Sequence, residues 1–193
     1  MAKGYTTRQE IENYLLITID SSFYDQITQW IAEIESYIDT YTGRNFVAGS
    51  TASARKFDGT GKGSVLIDDC VEITKVEYGE ETPLTEIVAG DYLIYPSNTL
   101  PKNKISLRYS VFPEGLQNVQ ITAKWGYSVA VPDQIKFIAT VFVSGIINYS
   151  LNAEGEVSSI SVGRYTVSYK DDKQWQDFDR ANKMLDMLRK ITF

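Results

Sequence analysis

Residues 23–46, FYDQITQWIAEIESYIDTYTGRNF, carry one helical period from end to end. Tyr24, Ile27, Ile31, Ile34, Ile38 and Tyr41 recur at alternating steps of three and four, which places them on one face of a helix. Asp20, Ser21 and Ser22 offer capping oxygens just ahead of it. Gly43 follows the last periodic residue and suits the left-handed conformation that stops a helix. Phe23, Trp30 and Tyr37 form a second stripe one heptad apart. Two apolar stripes require two packing surfaces, within the chain or across a subunit boundary, so these three residues are the candidate subunit interface.

Working outward, Thr7-Arg8-Gln9-Glu10 has capping-box spacing and opens a short helix through Leu16. From Ala54 the period changes to two. The expected strands are 55–58, 64–68, 73–78, 85–88, 91–95, 104–110 and 118–125, separated by Gly-, Pro- and Asn-containing turns. Short strands at this cadence imply a small antiparallel barrel or sandwich. Pro132 then sits at a favourable first helical position. The helix it opens is apolar nearly all round and therefore central. Residues 150–156 read as a loop and 157–169 as an arm or hairpin. Asp171 offers a cap for a last helix bearing Trp175, Phe178, Leu185 and Leu188 on one face. The expected class is α+β: helices from both ends form one core (1–53 and 132–193), and a β module (54–131) is inserted between them.

The 193 residues suit one large domain or a core with an insertion. A net charge of −6 with no basic run argues against bulk attraction to nucleic acid. Lys3 is followed by polar residues with no apolar run, so the signal-peptide pattern is absent. Cys70 is the single cysteine, which excludes an intrachain disulfide and fits a reducing cytoplasm during synthesis. No apolar run reaches membrane-spanning length.

Histidine is absent. That removes Ser-His-Asp and Cys-His catalysis and the usual zinc sites. Asp58, Asp68, Asp69 and Asp91 leave room for carboxylate chemistry or a cation. Adjacent residues such as Asp68 and Asp69 on a strand point to opposite faces, however, so they do not converge. The loop Asp58-Gly59-Thr60-Gly61-Lys62-Gly63-Ser64 invites a phosphate-loop reading. The spacing fails because Lys62 is followed by Gly63, and no helix follows to supply amide donors. The expectation is a protein with no catalysis, cofactor or metal.

The order of motifs resembles the head–tail connector (adaptor, head-completion) family of long-tailed bacteriophages. The residues carrying the likeness are Tyr24-Asp25, Ile27, Ile38-Asp39, Thr42-Gly43-Arg44 and Phe46, then Trp125-Gly126-Tyr127, Val131 to Lys136 and Val162 to Tyr169. Arg164 stands where that family carries an acidic residue. The resemblance implies a structural virion protein of the head–tail neck, assembled in the host cytoplasm. It implies a ring of identical subunits, twelvefold on the portal protein, that extends the DNA channel without binding DNA specifically. The ring would present a platform to the next neck or tail protein, the stopper, and have no membrane role. It also places portal docking on the last helix and tail, with Trp175, Phe178, Met184, Leu185, Leu188 and Arg189 as the candidates. Met and Trp are enriched where surfaces meet partners. The alternative is a β-sandwich ligand-binding or adhesion module with helical supports, which a concave aromatic surface would favour. A carboxylate hydrolase is the remaining rival.

Overall fold

A computed structural model describes residues 3–80, 83–151, 158–162, 165–169 and 172–190. The chain divides into a helical unit, Met1–Arg44 with Val131–Phe193, and a β unit, Asn45–Ala130.

In the helical unit, α1 spans Arg8–Leu15 and opens with the capping box: Thr7 accepts from the Glu10 amide, and Glu10 reaches back to the Thr7 amide. Helix α2 spans Tyr24–Thr42 and is entered through a short 3-10 turn, Ser21–Phe23, which Asp20 caps by accepting from the Ser22 amide. Gly43, at φ +66°, ends α2 in the left-handed region. Helix α3 spans Asp133–Leu151. Ile135, Ile138, Ala139, Val141, Phe142, Val143, Ile146 and Ile147 are all buried, so α3 is central, and α1, α2 and a last helix α4 (Asp172–Met187) pack against it. The apolar stripe of α2 supplies the facing layer through Ile27, Ile31, Ile34 and Ile38. Ser150 and Leu151 continue α3 rather than starting a loop. The expected arm is a hairpin, β7 (Ser158–Val162) antiparallel to β8 (Tyr165–Tyr169), with β8 against α3. The expected Asp171 cap and the loop from 152 lie outside the described residues, as do Arg164, Ile191 and the two residues after it.

The segment before α1 is tied to α2 by two carboxylates one turn apart. Glu35, 2% exposed, accepts from the amides of Lys3 (2.5 Å) and Tyr5 (2.8 Å). Asp39 accepts from the Tyr5 hydroxyl at 2.6 Å and pairs with the Lys3 ammonium.

The β unit corrects the expected barrel or sandwich. Strands β1 (Ser53–Gly59), β2 (Ser64–Tyr78), β3 (Thr85–Glu86), β4 (Tyr92–Tyr95), β5 (Lys102–Leu107) and β6 (Gly115–Trp125) form one open antiparallel sheet. The order is β1-β6-β2-β5-β4, with β3 beside β2, so β1 and β4 are edges and the sheet does not close. The cause lies in β2. Segments 64–68 and 73–78, expected as separate strands, are one strand of 15 residues. Its first part pairs with β5 and its second with β6, with register shifts on either side of Cys70, which faces Lys102 on one flank and Trp125 on the other. One strand thereby serves both halves of the sheet, and a single core cluster draws Val65, Ile105 and Tyr92 from one half and Val76, Ile121 and Trp125 from the other.

The β unit begins at Asn45 because its two ends meet. The Tyr127 amide donates to Asn45 O and the Ala48 amide to Ser128 O, each at 2.8 Å. Fully buried Phe46 packs at a tilt against Tyr127, with ring centroids 5.4 Å apart. Gly126 is required here: a Cβ at that position would lie 2.4 Å from Ala48 Cα.

Candidate interaction surfaces

The second stripe of α2 divides. Trp30 is buried at 8% exposure, Tyr37 is half-buried with its ring 6.3 Å from Phe142, and Phe23 remains 40% exposed. Burial, and then the charge of Asp186, push the Tyr37 phenol above its usual pKa. Packing within the helical unit thus accounts for two of the three residues, and Phe23 keeps a free face.

The proposed docking residues of α4 divide in the same way. Phe178 is 2% exposed and packs 5.4 Å from Phe142; Leu185 is 1% exposed. These two belong to the core of the unit. Met184 and Leu188 are half-buried, whereas Trp175 and Met187 are exposed. The end of α4 is fastened to the end of α2. The Arg44 guanidinium donates to Leu188 O at 2.7 Å, the Lys190 amide to Thr42 O at 2.7 Å, and the Tyr41 hydroxyl to Asp186. Exposed Arg189 lies over the Tyr41 ring at 5.1 Å.

A feature the sequence reading missed lies at the opposite end of α2. Ile17, Phe23, Ile27, Trp30 and Ile147 line an apolar groove of about 240 Å³, with Asp20 at its rim. Its signal was present: the apolar run Leu15-Leu16-Ile17 continues past the end of α1. Leu16 itself sits at φ +56° and is 89% exposed.

In the β unit, a mixed groove of about 320 Å³ includes Tyr78, Val88, Asp91, Tyr109 and Val111. Tyr109, Val111 and Val88 project outward, and Leu116 beyond them is 86% exposed. Phe112, fully buried, anchors the loop that carries Tyr109 and Val111.

Of the carboxylates considered from sequence, Asp58 and Asp68 are engaged by neighbouring groups, and Asp91 lines the mixed groove. Asp68 bonds the Arg55 guanidinium at 2.7 Å, and that guanidinium also lies over Trp125. Asp69 is buried, and its backbone oxygen accepts from the Gly126 amide. Asp58 accepts from the Gln117 amide at 2.7 Å. In the glycine loop, the Gly59 amide donates to Asn118 Oδ1 at 2.8 Å, and the Glu114 carboxylate stands beside Gly61. A carboxylate at that mouth repels phosphate. The Cys70 thiol is pushed up to about 12, chiefly by burial and then by Asp69 and Asp68, which makes it a poor nucleophile. Among the described residues no cluster of three or more His, Cys, Asp or Glu is arranged to hold a metal. Among them, too, no helix is long and apolar enough to cross a membrane.

With this geometry in hand, comparison with known proteins is informative at one level. No family model matches the sequence. No curated protein matches it. A solved structure described as the neck of an empty GTA particle, computed with C6 symmetry, contains a chain that matches with a TM-score of 0.59 at 10% identity. The match covers 100% of this chain and 94% of that one. The likeness is one of fold, and it runs from end to end.

Proposed function

We propose that this chain is a structural protein of the neck of a phage-like particle. Its finer role is that of a head–tail adaptor, a ring of copies bound beneath the portal that extends the DNA channel and offers a platform to the next neck component. The observation that carries this reading is the end-to-end fold match to a chain in a particle neck, reached independently of the ordered motifs. The engagement of Asp58 and Asp68 by neighbouring groups and the raised pKa of the Cys70 thiol support this reading. On the helical unit, Trp175, Met184, Leu188 and Arg189 are the docking residues left with accessible surface after Phe178 and Leu185 are committed to the core. On the β unit, the outward Tyr109, Val111 and Leu116 offer a surface for the following component.

The test is reconstitution. Purified portal mixed with this protein should show added ring density at one end of the portal by electron microscopy. Trp175→Ala should weaken that binding while leaving the circular dichroism spectrum unchanged. Portals that stay bare at saturating protein would overturn the adaptor role.

A further inference from the structure

The outward apolar side chains of the β unit stand on one stretch of backbone, residues 108–117. Tyr109 is 86% exposed, Val111 58% and Leu116 86%. Exposed connections are ordinarily the mobile part of a fold. This one is pinned between its apolar residues. The Leu107 amide donates to Gly63 O at 2.8 Å, the Arg108 amide to Asp91 O at 2.9 Å and the Phe112 amide to Lys62 O at 2.9 Å. Asn118 Nδ2 donates to Pro113 O at 3.1 Å, and the Gln117 amide donates to Asp58 Oδ1 at 2.7 Å. Three of these partners, Asp58, Lys62 and Gly63, belong to the glycine-rich segment whose phosphate-loop spacing fails. That segment is the rest on which the apolar stretch lies.

The stretch ends in a β-bulge. Between β1 and β6, Phe57 pairs with Val119 and Gly59 with Gly115, so Leu116, Gln117 and Asn118 oppose Asp58 alone. A bulge re-aims side chains, and here Leu116 within it points outward. The backbone is strained to do so: Gln117 sits at φ +51°, in the left-handed region that disfavours a residue with a long side chain. Gly59 must be glycine, because a Cβ there would lie 1.9 Å from Pro113 O. Asn118, 3% exposed, closes the device. Its Oδ1 accepts from the Gly59 amide at 2.8 Å while its Nδ2 holds Pro113 O, so one side chain joins both backbones. Strain that the surroundings hold in place points to a functional segment.

We propose that Asn118 and Asp58 are positioning residues that hold Tyr109, Val111 and Leu116 as a preformed contact surface for the next neck component. Asn118 acts through the backbone of Gly59 and Pro113, and Asp58 acts through the Gln117 amide. A surface fixed in advance loses less conformational freedom on binding than the same side chains on a free loop. The inference rests on the reading of that surface given above and names what fixes its shape.

In cells producing the particle, each full-length variant replaces the natural chain, and electron microscopy of purified particles scores the fraction whose neck continues beyond this protein. Leu116→Asp alters the surface itself and should lower that fraction at least about tenfold, because it puts a charge into an apolar contact. Asn118→Ala removes two hydrogen bonds and should lower it about tenfold. Hydrogen exchange should then show the Gly59 and Gln117 amides losing protection while those of β2 and β6 keep theirs. Asp58 is exposed, so Asp58→Ala tests the same device without disturbing the core, with an expected loss of about fivefold. Asp58→Asn keeps an Oδ1 acceptor and should restore the natural level. Should Asn118→Ala unfold the β unit, the Asp58 pair decides. Natural levels for Asp58→Ala, or equal losses for Asp58→Ala and Asp58→Asn, beside a loss for Leu116→Asp, would refute the positioning role and leave the surface reading standing. Natural levels for every variant, Leu116→Asp included, would refute both.

Discussion

The helical unit and the β unit bury apolar surface in different ways. In the helical unit a single element, α3, is surrounded: α1, α2, β8 and α4 all lean on it, and they come from both ends of the chain. In the β unit no element is surrounded; one open sheet carries its own core cluster, and all of it comes from one continuous segment whose ends are hydrogen-bonded together. The first arrangement is complete only when the last helix has arrived. The second is complete by Ala130. A unit assembled from both chain ends is vulnerable to loss at either end, whereas an inserted unit with joined ends is not.

Truncation after Lys170 breaks this comparison most severely. It removes Phe178 and Leu185 from the layer against α3 and leaves Phe142 uncovered. The helical unit should lose its cooperative unfolding transition, while amides of β2 and β6 stay protected in hydrogen exchange. Loss of protection in both units together would show that they are not separate folding units.

Cavities come next. Phe142→Ala should cost about 3–5 kcal/mol, and Ile121→Ala about 2–5 kcal/mol, because both side chains are fully buried. Each loss should appear in the hydrogen exchange of its own unit. The tether before α1 is a smaller term. Glu35→Ala strips two backbone amides of a buried acceptor and should cost about 2–3 kcal/mol, with fraying of residues 3–6 as its signature. Restoration of that order by added salt alone would contradict the hydrogen-bond account.

A further effect is a pH dependence confined to the β unit. The Cys70 thiol titrates near its ordinary value of 9.0 in the unfolded chain and at about 12 when folded. Its contribution to stability is therefore fully present below pH 9 and lost as pH rises from 9 towards 12. Cys70→Ala should flatten the decline of the melting temperature across that window, and native Cys70 should resist a thiol reagent at pH 8. Rapid labelling at pH 8 would show that the pivot of β2 opens readily.

Much of the helical unit could be read from the chain because its signals are local. The three-four spacing of Ile27 to Ile38, the stop at Gly43, the Thr7–Glu10 box and the all-apolar α3 each act within a few residues. The sheet was less legible. Asp68-Asp69-Cys70 interrupts the alternation of β2, which resembles a strand end, yet the backbone continues there and only the pairing partner changes. Whether a sheet closes depends on register between distant strands, which no local pattern records. The surfaces were legible in part. An amphipathic α4 looks alike whether its apolar face meets α3 or a partner, so Phe178 and Leu185 could not be told from Trp175 by spacing. The groove at Phe23 was hidden because Ile147 is brought to Phe23 from 124 residues away.

The central claim is that this chain is a ring-forming component of a particle neck. The most direct measurement is cryo-electron microscopy of intact particles from cells producing this protein, with the neck reconstructed under its rotational symmetry. The account predicts a ring at the portal's outer end into which copies of the helical unit and the β unit fit as folded here. A neck whose density is filled by other chains, with this protein absent from the purified particle, would contradict it.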